Sequence, residues 1–248
     1  MGAIPLQRDI DYPESDGQPM AETALHRREM VDLTAALDHW YLDAADVAVE
    51  SNLFLYYVEG NPRAVVSPDV FVALGVPKRE RRIYKLWEEG RAPSMVIEVT
   101  SLSTKDEDLY GKKSCYERLG VPEYFLHDPC GEYLSPPLLG YRLVRGQYRL
   151  MKPAADGSLI SKVTGLTLQP EGQRLRLVDT ATGKLLSWVA ESQAAEDREE
   201  EAQRAWQEAE VRAAQAEARA AQEAQARRQA EEELARLRRE LAKWDSAG

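Results

Sequence analysis

Apolar positions along this chain follow two spacings in turn, and each change of spacing marks a new element. From Thr23, which can cap a helix, apolar side chains recur at Leu25, Met30, Val31, Leu33, Ala36, Leu37 and Trp40. This helical spacing predicts one helix ending near Tyr41 or Leu42. Val47-Ala48-Val49 and Leu53 to Val58 are strand material, followed by the turn Glu59-Gly60-Asn61-Pro62, and they predict hairpins. A third β-rich run, Ala64 to Leu74, contains Pro68, which forces a break or an edge position beside Asp69. Ser94 to Thr100 is a short, nearly continuous apolar strand with one carboxylate, Glu98, in its middle. A helix follows from about Lys105 to Leu119, stopped by Gly120-Val121-Pro122, and Glu123 to Pro129 returns as a strand. Strand, helix, strand implies a parallel crossover, with the earlier hairpins adding antiparallel strands to the same sheet. From Tyr141 to Val189, short β segments alternate with turns such as Ala155-Asp156-Gly157, as further β structure on that domain.

Beyond Glu191 the composition shifts to Ala, Glu, Gln and Arg, with no Gly or Pro until Gly248. One long helix is expected. The chain therefore divides into an extended, proline-bearing arm over 1–20, an α/β domain over 21–190 and a helix over 191–248. Alternate steps of three and four from Trp206 reach Ala209, Ala213, Ala216, Ala220, Glu223, Arg227, Ala230, Leu234, Leu237, Leu241 and Trp244. This is a heptad seam, weak before Leu234, and it predicts a homodimer or another coiled-coil partner through residues 191–248. The competing reading is a solvated single helix held up by Glu/Arg pairs one turn apart.

Composition narrows the class. Of the 248 residues, 44% are hydrophobic and 30% charged, enough for a packed core. No stretch approaches the roughly 20 apolar residues that span a bilayer, and the start lacks a basic region followed by an apolar core, so a cytoplasmic protein without membrane contact is expected. Cys115 and Cys130 fit neither a disulfide framework nor a metal knuckle, and both are expected as reduced residues in or near the core. The net charge of -10 argues against a protein that coats nucleic acid by bulk electrostatics. A local basic groove could still come from Lys78, Arg79, Arg81, Arg82 and Lys85, a run whose alternative is a solvated loop.

Chemistry concentrates between Pro68 and Lys113. Glu98 in an apolar strand carries a large desolvation cost unless it is paired or bound to a cation. Asp69, on a neighbouring strand, could share a hard cation with it. On the helix after Glu98, Leu109, Cys115, Tyr116 and Leu119 define an apolar stripe, and Lys112 falls near its centre whereas Lys113 lies about a quarter turn away. A lysine facing the sheet wants an anionic partner, so a buried salt bridge without chemistry is the plain alternative. His26, His39 and His127 are too scattered for a zinc motif, and isolated Gly111 and Gly120 make no phosphate loop.

Pro68-Asp69, Glu98-Val99-Thr100-Ser101, Asp108 with Lys112, Tyr116, Gly120-Val121, Glu123-Tyr124-Phe125 and Asp128-Pro129 occur in an order and spacing that closely resemble the Uma-two family of the PD-(D/E)XK nuclease superfamily, over roughly residues 20–190. The resemblance implies a restriction-endonuclease-like α/β fold, a mixed β-sheet flanked by helices, in which Asp69 and Glu98 ligate Mg²⁺ or Mn²⁺. It implies catalysis by Asp69, Glu98 and Lys112, the lysine orienting or activating water and offsetting charge on the phosphate. The superfamily pattern expects lysine two residues after the acid, where this chain has Thr100, and Lys112 from the following helix takes its place. Asp108 and Tyr116, one turn either side of Lys112, stand as supporting residues. Glu22 is a further carboxylate for that role, although helix starts favour Glu for dipole reasons alone. The implied function is a metal-dependent endonuclease acting on DNA. Two alternatives remain: a non-catalytic nuclease-like scaffold assembling through its tail, and a phosphodiesterase acting on RNA or a small nucleotide.

Overall fold

A computed structural model describes residues 10–15 and 23–245, without the side chains at 218, 220, 221, 224, 230, 234, 235 and 237–245. The chain separates into two units, Met1–Val189 and Ala190–Gly248. In the first, α1 (Ala24–Trp40) is followed by β1 (Val47–Ser51), β2 (Leu55–Tyr56), β3 (Val65–Val66), β4 (Val70–Leu74) and β5 (Tyr84–Lys85). The short α2 (Leu86–Glu89), β6 (Met95–Val99), a π-helical turn (Glu107–Lys112), α3 (Lys113–Leu119) and β7 (Glu123–His127) come next. β8 (Leu138–Val144), β9 (Gln147–Leu150), β10 (Leu159–Ile160), β11 (Leu166–Glu171) and β12 (Arg174–Asp179) complete the unit. The second unit is the continuous helix α4, which starts at Val189 and runs to Asp245.

The main sheet has strand order β1-β4-β6-β7-β8-β9. Its β6–β7 pair is parallel, joined by the crossover through α3, and its other pairs are antiparallel. The first unit is therefore a mixed sheet flanked by helices, and the long C-terminal helix is a separate unit. Period-two alternation divides the strand residues between two cores. Val70, Val72, Met95, Ile97 and Phe125 face α1, whose Met30, Leu33 and Leu37 pack on them together with Leu159, Leu166 and Leu168. Phe71, Val96, Tyr124 and Leu126 face the other way, onto Tyr116 and Val121 of the crossover.

One expectation needs correction. The first β-rich runs do not all join one sheet: β2 pairs with β3 and, in parallel, with β5 as a separate small sheet, because Asn52 at φ 50° turns the chain away after β1. β10–β12 likewise form their own sheet, which closes over the α1 face of the core. That closure depends on Gly140, opposite Phe125 in the ladder. A Cβ there would stand 2.8 Å from Leu159 Cδ1 and 3.0 Å from both Met151 Sδ and Phe125 Cδ1. Gly140→Ala is expected to destabilise the unit by about 1–3 kcal/mol through overpacking, read as a lowered thermal midpoint. An unchanged midpoint would mean that the sheet gives way freely.

Candidate active site

The register of the sheet places the two acids. β4 and β6 pair as Val70↔Ile97 and Phe71↔Val96, so one further step sets Asp69 opposite Glu98. Both residues share the parity of Phe71 and Val96, on the face covered by α3. Glu98 is fully buried, and each of its oxygens is bonded. Tyr116 donates to Oε1 at 2.6 Å, Lys112 donates to Oε2 at 2.7 Å, and the Asp69 backbone N–H reaches Oε2 at 3.3 Å. Asp69 Oδ2 in turn accepts from the Val99 N–H at 2.8 Å. The structure thus brings Asp69, Glu98, Lys112, Asp108 and Tyr116 together, while Glu22 lies outside the described residues.

Lys112 ends the π-helical turn, from which Tyr116 follows at ordinary α-helical spacing, so both face Glu98. Lys113 points elsewhere, with its ammonium 4.6 Å from the centroid of the Tyr141 ring. Thr100, at the position where the superfamily pattern expects lysine, is buried and donates to Asp108 Oδ2 at 2.7 Å, and Tyr133 OH lies 2.5 Å from the same hydroxyl. Asp128 fixes the loop that carries Tyr133 by accepting from the N–H groups of Tyr133 and Leu134. Asp108 Oδ1 is left 3.5 Å from the Lys112 ammonium, buried and without a hydrogen-bond partner among the described residues.

Electrostatics follow from this packing. Burial pushes the Glu98 carboxyl well above its usual range, against the pull of Lys112, and Asp69 and Asp108 push in the same direction. Burial works against the charge on Lys112, but Glu98, Asp69 and Asp108 outweigh it and hold the ammonium protonated. For Asp69 too, burial opposes ionisation, and the His26 hydrogen bond and the Lys112 charge overcome it to leave the carboxyl below its usual range. Three carboxylates thus surround one lysine, and buried negative charge in excess calls for a proton or a cation.

A cavity of about 490 Å³ opens beside these groups, lined by His26, Asp69, Thr100, Asp108, Lys112 and the loop 101–104. His26 is the residue that the sequence reading missed. Its Nε2 lies 3.4 Å from Asp69 Oδ2. The signal was its phase: His26 precedes Met30 by four residues and Leu33 by seven, on the helix line that packs over the sheet. Cys130, expected near the core, is exposed at the cavity rim, whereas Cys115 is buried.

The run that could have formed a basic groove is instead paired with acids. The Arg81 side chain is 1% exposed and is held by Glu50 and Glu89. Arg79 pairs with Glu89, Lys78 with Asp38, Arg82 with Glu14 and Lys85 with Glu88. The run is a neutralised structural network.

A mixed sheet with acids at adjoining strand positions and a lysine from the crossover helix defines a restriction-endonuclease-like class. Residues 3–175 match the Uma2 family, described as "Putative restriction endonuclease", and the chain belongs to that family. A similar solved structure is that of "a putative nuclease belonging to DUF820 from Anabaena variabilis ATCC 29413", with 14% identity over 60% of this chain and 79% of that one and a TM-score of 0.45. No curated protein matches. Among the described residues no helix is long and apolar enough to cross a membrane, and no group of three or more His, Cys, Asp or Glu side chains is placed to hold a metal.

Proposed function

We propose that this protein is a cytoplasmic endonuclease that hydrolyses DNA phosphodiester bonds at Asp69, Glu98 and Lys112, and that the region 191–248 makes it a homodimer. The observation that carries the catalytic reading is the buried Glu98–Lys112 pair opposite Asp69, with Lys112 and Asp69 lining the cavity. A buried ion pair serving only stability would not need a second and a third carboxyl group, those of Asp69 and Asp108, beside it.

The donor set suits a hard divalent cation. Carboxylates outnumber the lysine, and Asp108 Oδ1 is buried without a hydrogen-bond partner among the described residues. Asp69 and Glu98 would hold Mg²⁺ or Mn²⁺, two carboxylates being enough when water and phosphate complete the shell. When bound, such a cation polarises a phosphoryl oxygen and acidifies a coordinated water. The chain's own contribution is charge and position. Lys112, kept protonated by its three acids, serves as a fixed positive charge for a phosphate oxygen and not as a base. Tyr116 and the Asp69 N–H keep the Glu98 carboxylate from rotating, and the Tyr133–Thr100–Asp108 chain steadies the lysine from the other side.

Plasmid incubated with the protein and Mn²⁺ or Mg²⁺ should be nicked, and nicking should vanish with a chelator and fall by about a thousandfold in Asp69→Ala. Equal nicking by the two proteins would remove DNA cleavage from this site and favour the scaffold reading, to which the neutralised basic run and the net charge of -10 lend support.

A further inference from the structure

The heptad seam of α4 is complementary to its own reverse. Its twelve positions fall symmetrically about Gln225, and mirrored positions match in size and charge. Trp206 mirrors Trp244. Ala209, Ala213 and Ala216 mirror Leu241, Leu237 and Leu234, Ala220 mirrors Ala230, and Glu223 mirrors Arg227. Any seam of alternating threes and fours has symmetric spacing; the matching of large to small and of acid to base is particular to this chain.

We propose that α4 pairs antiparallel with α4 of a second copy about a two-fold axis at Gln225, a refinement that rests on the self-association reading above. In that register every seam leucine meets an alanine, which evens the helix separation across six layers. The charged positions become opposite-charge layers on both sides of the axis. A parallel pair would instead set Glu223 against Glu223, Arg227 against Arg227 and alanine against alanine in five layers. It would also lay two strongly acidic segments side by side, since residues 191–210 carry eight acidic and two basic side chains. The antiparallel pair keeps those segments apart. Within one chain Trp206 is 66% exposed, a large apolar side chain on a helix surface that a second copy would cover.

Disulfide trapping in the full-length protein, with exposed Cys130 replaced by serine, tests the direction. Ala220→Cys and Ala230→Cys, each made singly on differently tagged chains, should cross-link only when mixed, because position 220 lies about 15 Å along the axis from its own copy. Cross-linking within either variant alone would overturn the proposal in favour of a parallel pair. A monomeric mass in sedimentation would overturn it together with self-association, and neither result bears on nicking, which is assayed separately. As a second reading, Glu223→Arg should weaken association about tenfold, and adding Arg227→Glu should restore it. A parallel pair would exchange one like-charge layer for another, so an unchanged association constant in Glu223→Arg also overturns the proposal.

Discussion

Lys112→Met should reduce nicking by about a thousandfold while the protein remains folded. The methionine keeps the bulk that packs between the sheet and α3 but removes the one ammonium that the three carboxylates surround. Truncating one partner of a buried pair ordinarily costs about 3–5 kcal/mol, because the other charge is stranded. Here burial already pushes the Glu98 carboxyl up, so the variant escapes part of that cost by binding a proton. The consequence is a pH signature. A carboxyl with a raised folded-state pKa contributes stability at low pH that is lost as pH rises through that pKa. The variant should therefore melt near the wild-type midpoint in mild acid and progressively below it toward alkaline pH. Single-turnover nicking and thermal melts across pH read the two effects separately. Unchanged nicking would remove Lys112 from the site.

Arg81→Ala is expected to have the largest effect on stability and little on DNA. Its guanidinium donates to Glu50, to both oxygens of Glu89 and to the carbonyls of Pro77 and Arg79. Removing it strands Glu50 and leaves buried Glu89 with Arg79 alone, a loss of about 3 kcal/mol, which lowers the midpoint of a unit this size by about 10 °C. Lysine cannot replace it, since a single ammonium does not reproduce the fork that serves two acids and two carbonyls. Weakened DNA binding with an unchanged midpoint would show instead that the run is a nucleic-acid surface.

The contrast between these residues shows what the sequence could reveal. Glu98 was legible because a carboxylate inside Met95–Val99 breaks an apolar run, and Asp69 because Pro68 marks where a strand begins. Lys112 was legible by helix phase, although the phase assumed a regular α-helix. That assumption failed across Glu107–Lys112, where the turn is wider, yet the step from Lys112 to Tyr116 is α-helical and the shared face is kept. Arg81 was illegible because its partners come from β1 and α2 and not from its own loop. His26 was hidden for a different reason. A polar residue on an apolar helix line looks like an interruption until the line is extended over the strand that begins just after Asp69.

Among the described residues, the only basic side chains lining the cavity are His26 and Lys112. A polynucleotide seated there would release few counterions, since each neutralised phosphate contributes a salt exponent of only about 0.9. Binding at one such site would be weak but tolerant of salt. Two copies joined through their helices would then gain affinity by avidity, the second site searching at the effective concentration set by the tether and not at that of the bulk protein.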